Sequence, residues 1–365
     1  MEQLSGLTVV DGHNDLPYAL REFRGGSTAG FATGLPELCT DLPRLRAGQV
    51  GAQFWAVFVP TGMPDGDTVL LALRQLDLVR QLVAGHPDLA WCTTADQAEA
   101  ARAQGRIASF AGLESGHAIA SDLGVLRLFA ALGIRYMTLT HTANTPWAEC
   151  ANTPAPTPGL TDFGREVVAE MNRRGVIVDI AHVSLATMRD ALAASTRPVI
   201  TSHSSCHALC PHPRNVPDDV LAGVARTGGL AMITFVPGFI SAARWEWERE
   251  IEASLGDELA GFPEAEQAVR LRAAAVAHPP PPVTVAQVAD HVEHARDVAG
   301  VAHVGLGSDY DGTVFFPQGL EDVSRYPRLL AELAGRGWSR AELQALTWDN
   351  AMRVLRDTEA GPAPA

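Results

Sequence analysis

A chain of 365 residues that is 47% hydrophobic can bury a large core, and α/β barrels of this length are commonly one domain. The formal charge of -14 speaks against a nucleic-acid or anionic-membrane partner. All 28 basic residues are arginine, which excludes Schiff-base chemistry, pyridoxal phosphate attachment, a Walker-type phosphate loop and a carboxylated-lysine metal bridge.

The first residues, Met1 to Ser5, lack the basic and apolar regions of a signal peptide, and no apolar run of about eighteen residues exists. Five cysteines, an odd number, suit a reducing compartment better than a disulfide scaffold. The expectation is a cytoplasmic protein with no membrane partner.

Apolar, β-rich runs recur along the chain at residues 7–11, 52–59, 106–113, 134–140, 176–180, 198–201, 229–235 and 304–307. Helical patterns separate most of them. Val69, Leu70, Leu73, Leu76, Val79, Leu82 and Val83 fall at three and four spacing. Thr161 caps a helix over 162–174 that Gly175 closes, Ser184 opens one over 185–194, and Ser339-Arg340-Ala341-Glu342 is a capping box.

Eight strands alternating with helices make either a closed (β/α)8 barrel or an open doubly wound sheet. An open sheet should carry a glycine-rich turn after its first strand, where this chain has Asp11-Gly12-His13-Asn14-Asp15. Polar residues also fall at the C-terminal ends of six strands, where a barrel keeps its chemistry. The fold class is therefore α/β, a TIM-like (β/α)8 barrel in a single domain over 1–365. Three excursions depart from it: a glycine-rich loop over 25–40, an irregular proline-rich segment over 145–158, and a helical insert at about 237–283. The charge run Trp245-Glu246-Trp247-Glu248-Arg249-Glu250 reads as a solvated helix face, and the Pro/Ala tail as no membrane anchor.

His13 and Asp15 lie two apart where the first strand stops, so in extended backbone they point to one side. Glu114 ends the third strand, His182 the fifth and His203 the sixth. Any one of these is more often structural; five at strand ends of a barrel share one bowl. The set gives His13, Asp15 and Glu114 to one divalent ion and Glu114, His182 and His203 to another, with room for a shared water.

Six motifs, in order along the chain, then carry a resemblance. They are Asp11-Gly12-His13-Asn14-Asp15-Leu16-Pro17, the run from Leu139 to Ala148 containing His141, Asp179-Ile180-Ala181-His182-Val183-Ser184, Ser202-His203-Ser204-Ser205, Arg214-Asn215-Val216-Pro217-Asp218-Asp219, and Gly307-Ser308-Asp309-Tyr310-Asp311-Gly312. Together they resemble the renal-type membrane dipeptidase family, peptidase family M19, of the metal-dependent amidohydrolase superfamily. The resemblance implies two Zn2+ ions per chain with Glu114 bridging. It also implies a dipeptide substrate, tolerance of a D-residue at its C-terminal position, and a homodimer. His141 then matches a histidine at the scissile group, Arg214 the arginine that holds the terminal carboxylate, and Asp309 the acid that handles the proton.

Chemistry agrees with these roles. A guanidinium fork fits a carboxylate with parallel hydrogen bonds, a histidine after the fourth strand can donate to an oxyanion, and Asp309 or Asp311 could serve as base. One departure is notable: mammalian members have Asn-Phe-Tyr where this chain has Thr234-Phe235-Val236, without the tyrosine hydroxyl. The alternative function is another hydrolase on the same two-metal site, acting on a cyclic amide, ester or phosphoester. A non-enzymatic binding role ranks below both. Cys206-His207-Ala208-Leu209-Cys210 has no second cysteine pair and reads as loop packing; His291 and His294 read as a solvated helix face.

Overall fold

The apolar runs become strands buried on both faces, as parallel strands covered by helices must be. The computed structural model describes residues 4–156, 158–256 and 264–359. Its strands are β1 (Val9–Asn14), β2 (Val50–Phe58), β3 (Leu89–Trp91), β4 (Ile107–Glu114), β5 (Ile134–Thr138), β6 (Ile177–Asp179), β7 (Val199–Ser204), β8 (Leu230–Ile233) and β9 (Val304–Leu306). All pairings are parallel, and β2 pairs with both β1 and β4, closing the ring β1-β2-β4-β5-β6-β7-β8-β9. The eight expected strands are thus the staves of a (β/α)8 barrel.

β3 is the strand the sequence did not announce. Ala108 of β4 pairs with Ala52 on one edge and with Ala90 on the other, so β3 shares an edge of β4 with β5. Three residues are too short for a periodic signal.

Alternation along the staves fills the interior. Val10, Phe54, Phe110, Tyr136, Ile200 and Met232 form one buried cluster with Trp348 and Leu355 from the C-terminal segment. Neighbouring strand positions such as Val9, Trp55, Ala111 and Val178 join a separate cluster with the surrounding helices. Side chains therefore plug the cylinder and leave its C-terminal mouth for chemistry.

Helix ends follow the expected caps. Thr161 accepts from the Gly164 amide and Gly175 closes Asp162–Arg174 in the left-handed region. Ser184 accepts from the Thr187 amide, and the Ser339–Glu342 box forms in both directions. In helix Asp65–Ala84 the buried stripe begins at Thr68 and Ala72, whereas Leu70 and Leu73 face solvent.

The excursion at 237–283 holds helices Pro237–Ile240, Ala242–Leu255 and Glu264–Ala277. Its charge run is more than a solvated face. Trp247 is buried, and Glu248 pairs with buried Arg244, which stacks 4.5 Å from Trp247 and 4.4 Å from Phe315 on the loop after β9. An arginine stem covering apolar surface explains why polar letters mark a packed helix. The Pro/Ala tail lies outside the described residues. No described helix is long and apolar enough to cross a membrane, and all five cysteines are free.

Candidate metal centre and active site

Glu114 reaches the barrel mouth by plain alternation, following Ala108, Phe110 and Gly112 along β4. The other groups arrive through local breaks in regular geometry. The pairing of β1 with β2 shifts register between Asp11 and Asn14, where His13 sits. That of β7 with β8 shifts between Thr201 and Ser204, where His203 sits. An extra residue turns the side chain inward at both places. His182 and Asp309 have φ of 65° and 66°, sparsely populated for residues with a Cβ. Surrounding bonds hold these turns: the His182 carbonyl accepts from Thr140 Oγ1 and the Ala151 amide, and the Asp309 amide donates to the His13 carbonyl.

The five expected ligands meet around Glu114. Its Oε1 lies 3.1 Å from His182 Nε2 and 3.7 Å from His203 Nε2, while Oε2 lies 3.4 Å from His13 Nε2. Asp15 Oδ2 is 3.3 Å from the same His13 nitrogen, and Asp309 Oδ1 is 3.9 Å from it. His13 and Asp15 do converge, but through the register shift and because Asp15 already stands at the N-cap position of helix Leu16–Arg24, its side chain left free of a capping bond. All five are almost completely buried.

These residues fit divalent cations. His13 Nε2 is buried without a hydrogen-bond partner, and His182 and His203 aim their Nε2 atoms at each other across 2.8 Å. Burial, and then Arg214 and the adjacent histidines, hold both imidazoles well below the usual histidine range, so they are neutral. Neutral imidazoles and carboxylates crowded into one dry site are what a hard or borderline cation needs, and an expensive arrangement otherwise. Among the described residues, three groups have ligand atoms within 4.8 Å of one another: His13-Glu114-His203, Glu114-His141-His182 and His13-Asp15-Asp309.

His141 follows β5, its Nε2 3.7 Å from Glu114 Oε1 and its ring against His182 and Phe58. Burial, followed by Arg214, lowers its pKa to about 3, leaving a neutral ring whose Nδ1 has no partner. Arg214 is 3% exposed and forms no ion pair with any described carboxylate. Its guanidinium reaches only Ser204 Oγ at 3.5 Å and the His203 carbonyl at 3.4 Å, beside the Phe239 ring. Burial brings its pKa down to about 10, still cationic at neutral pH. Burial, then the Asp15 carboxylate, pushes Asp309 up to about 7.

Asp309 and Asp311 separate cleanly. Asp309 faces His13, whereas Asp311 accepts from the Cys39 amide at 2.6 Å and ties down the 25–40 loop. Cys206 and Cys210 are loop packing, donating to the carbonyls of His291 and Gly238. His291 departs from the solvated-face expectation. It is buried, with Nδ1 accepting from the Cys206 amide and Nε2 donating to the Ile240 carbonyl, because the insert folds back over its helix. His294 stays near the surface against Asp218. Val236 follows β8 and is almost buried.

Sequence reasoning passed over the supporting residues. Tyr136 sends its hydroxyl to His13 Nδ1 at 2.7 Å, across space that Gly112 leaves open, since a Cβ there would strike its ring. A Cβ at Gly312 would strike Asp15 and Asp309. Buried Asp179 and Ser202 stand behind His203. A carboxylate inside an apolar strand was the one available signal, at Asp179.

The chain is similar to known proteins along nearly its whole length. Dipeptidase 3 of Rattus norvegicus is 40% identical over 361 residues, covering 96% of this chain and 65% of the relative. The chain thus spans just under two thirds of that relative's length. A solved dipeptidase AC, a metallopeptidase of family M19, superimposes with a TM-score of 0.79 at 26% identity, covering 97% of this chain and 99% of that one. A metallopeptidase from Rhodobacter sphaeroides, solved with a phosphinate mimic of L-Ala-D-Ala, shares the fold with a TM-score of 0.82 at 24% identity, covering 96% and 99%. Residues 2–363 match the profile described as Membrane dipeptidase (Peptidase family M19), and the chain belongs to that family.

Proposed function

We propose that this protein is a metal-dependent dipeptidase that holds two zinc ions, with Glu114 shared between them. The observation that carries the reading is Arg214: a buried guanidinium without a carboxylate partner, next to the strand that bears His203. Burying an unpaired charge is costly, so the site is complementary to an anionic ligand. A carboxylate suits the guanidinium fork. Arg214, bonded to the carbonyl of His203, would hold a free C-terminus one residue beyond the scissile bond.

Divalent ions, when bound, polarise a carbonyl and acidify a water. The chain's own residues do the rest. Arg214 anchors the substrate carboxylate and fixes the register of the peptide. Neutral His141 donates a hydrogen bond to the developing oxyanion. Asp309 takes the water's proton and returns it to the departing amine. The family resemblance supports a D-residue at the C-terminal position and zinc as the metal, since imidazole and carboxylate ligands by themselves accept several divalent ions.

The test compares a dipeptide with its C-terminal amide and with a tetrapeptide. The free dipeptide should have the highest kcat/KM. Arg214→Met should cut that value on the order of 100-fold, because a buried charged partner is left unpaired, while leaving the amide's low value unchanged. Equal cleavage of all three substrates would overturn the dipeptidase reading and favour a hydrolase of neutral substrates.

A further inference from the structure

We propose that Asp179, acting through the Ser202 hydroxyl, fixes the tautomer of His203 so that its bare Nε2 faces the metal site. The inference rests on the metal-site reading above and makes Asp179 and Ser202 positioning residues.

Four donors converge on the buried Asp179 carboxylate at the end of β6. Oδ1 accepts from the amides of Ala181 at 3.0 Å and Ser202 at 2.9 Å. Oδ2 accepts from Thr138 Oγ1 at 2.7 Å and Ser202 Oγ at 2.6 Å. Asp179 thereby ties the C-terminal ends of β5, β6 and β7 together.

A serine hydroxyl has one hydrogen, and Ser202 Oγ donates it to Asp179 Oδ2 at 2.6 Å. The Ser202 hydrogen is therefore committed to Asp179. The contact of 2.7 Å between Ser202 Oγ and His203 Nδ1 then has one possible direction: Nδ1 carries the hydrogen and Ser202 accepts it. In a neutral imidazole this leaves Nε2 with its lone pair, the atom that faces Glu114 and His182. A Cβ at Gly307 would strike the Ser202 carbonyl, so the glycine lets β9 hold that backbone closely.

The other two histidines lack such a lock. His13 Nδ1 meets the Tyr136 hydroxyl, which can give or take a hydrogen. His182 Nδ1 is buried with no partner at all. Of the three, His203 alone has the hydrogen on its Nδ1 assigned through a carboxylate behind it.

Asp179→Asn separates this role from strand-tying. The new amide oxygen, placed at Oδ1, still accepts both backbone N–H groups. The amide nitrogen, in place of Oδ2, donates to the Ser202 and Thr138 hydroxyls, each of which can accept. The shape and the contacts survive, but the relay reverses: Ser202 now donates to His203 Nδ1, and the hydrogen moves to Nε2. Ser202→Ala removes the relay, and Ser202→Thr retains the hydroxyl.

The experiment pairs two readouts on the full chain. In chelator-treated, 15N-histidine-labelled protein at pH 8, long-range 15N–1H spectra should show the Nδ1–H tautomer for His203. Asp179→Asn should show Nε2–H. In chelator competition, zinc affinity should fall about 10- to 100-fold in Asp179→Asn and Ser202→Ala and return in Ser202→Thr. An unchanged tautomer with unchanged affinity overturns the relay. If Asp179→Asn does not fold, the alanine and threonine variants decide alone: equal affinities in both overturn it. Failure of the unaltered protein to take up zinc overturns the metal reading instead, and the tautomer spectra still judge the relay.

Discussion

Single residues shape this site, and the smallest of them has the clearest consequence. Gly312 is exposed, yet its α-carbon lies so close to Asp15 and Asp309 that any side chain displaces both carboxylates. Misplacing catalytic groups by about 1 Å can cost on the order of 100-fold in rate. Gly312→Ala should therefore lower kcat/KM for a dipeptide by roughly 10- to 100-fold, while its exposure keeps the melting temperature close to that of the unaltered protein. Activity and thermal unfolding measured on one preparation check this; full activity would show that the carboxylates relax at no cost. Gly112 acts in the same way behind His13, giving Tyr136 the room to reach that imidazole.

The loop over 25–40 illustrates how one short element keeps a long irregular one in place. Asp41 caps helix Leu42–Ala47 by accepting from the Arg44 amide, accepts from the Leu35 amide at 2.9 Å, and pairs with the Arg44 side chain at 2.7 Å. Arg44 in turn donates to the carbonyls of Leu35 and Leu38. Burial opposes ionisation of Asp41, but Arg44 and the two amides outweigh it and hold the carboxyl below its ordinary range. A group whose folded pKa is depressed stabilises the fold above its unfolded value and loses that contribution as pH falls through the folded one. Asp41→Asn should then destabilise by about 1–2 kcal/mol at pH 7. The difference should hold down to about pH 5 and shrink towards pH 3, as urea unfolding at several pH values would reveal. A pH-independent difference would assign the effect to packing alone.

On the scale of the whole barrel, the proposed ligands come from β1, β4 and β7 and from the loops after β1 and β6, so ions bound there would clasp strands that are distant in sequence. Anything that binds only the folded state stabilises it by mass action, about 2.7 kcal/mol at a hundredfold excess over Kd. Chelation followed by dialysis should lower the melting temperature by at least a few degrees, and zinc should restore it. No shift on either treatment would mean that the folded chain holds no ion. The insert is bound to the same mouth by Arg244, stacked between its own Trp247 and Phe315 of the loop that carries Asp309.

Sequence alone determined the kinds of group available and the elements that carry them. Apolar runs set the eight staves, caps such as Thr161 and Ser339 set helix ends, and the missing lysine excluded a carboxylated-lysine bridge. The six motifs hold the residues that meet at the barrel mouth except Glu114, which the end of its own strand marked. What periodicity could not reveal was how they face one another. From Val10 inside the barrel, alternation would carry His13 outward, and from Ile200 it would carry His203 outward; register shifts reverse both. Left-handed turns re-aim His182 and Asp309. Such breaks cost free energy locally and persist only because bonds from distant strands hold them. The same holds for Ser202, whose hydrogen points to Asp179 only because β6 and β7 lie side by side. Local sequence encodes which atoms can bind or donate; the packed barrel alone decides which of them meet, because their partners lie on other strands.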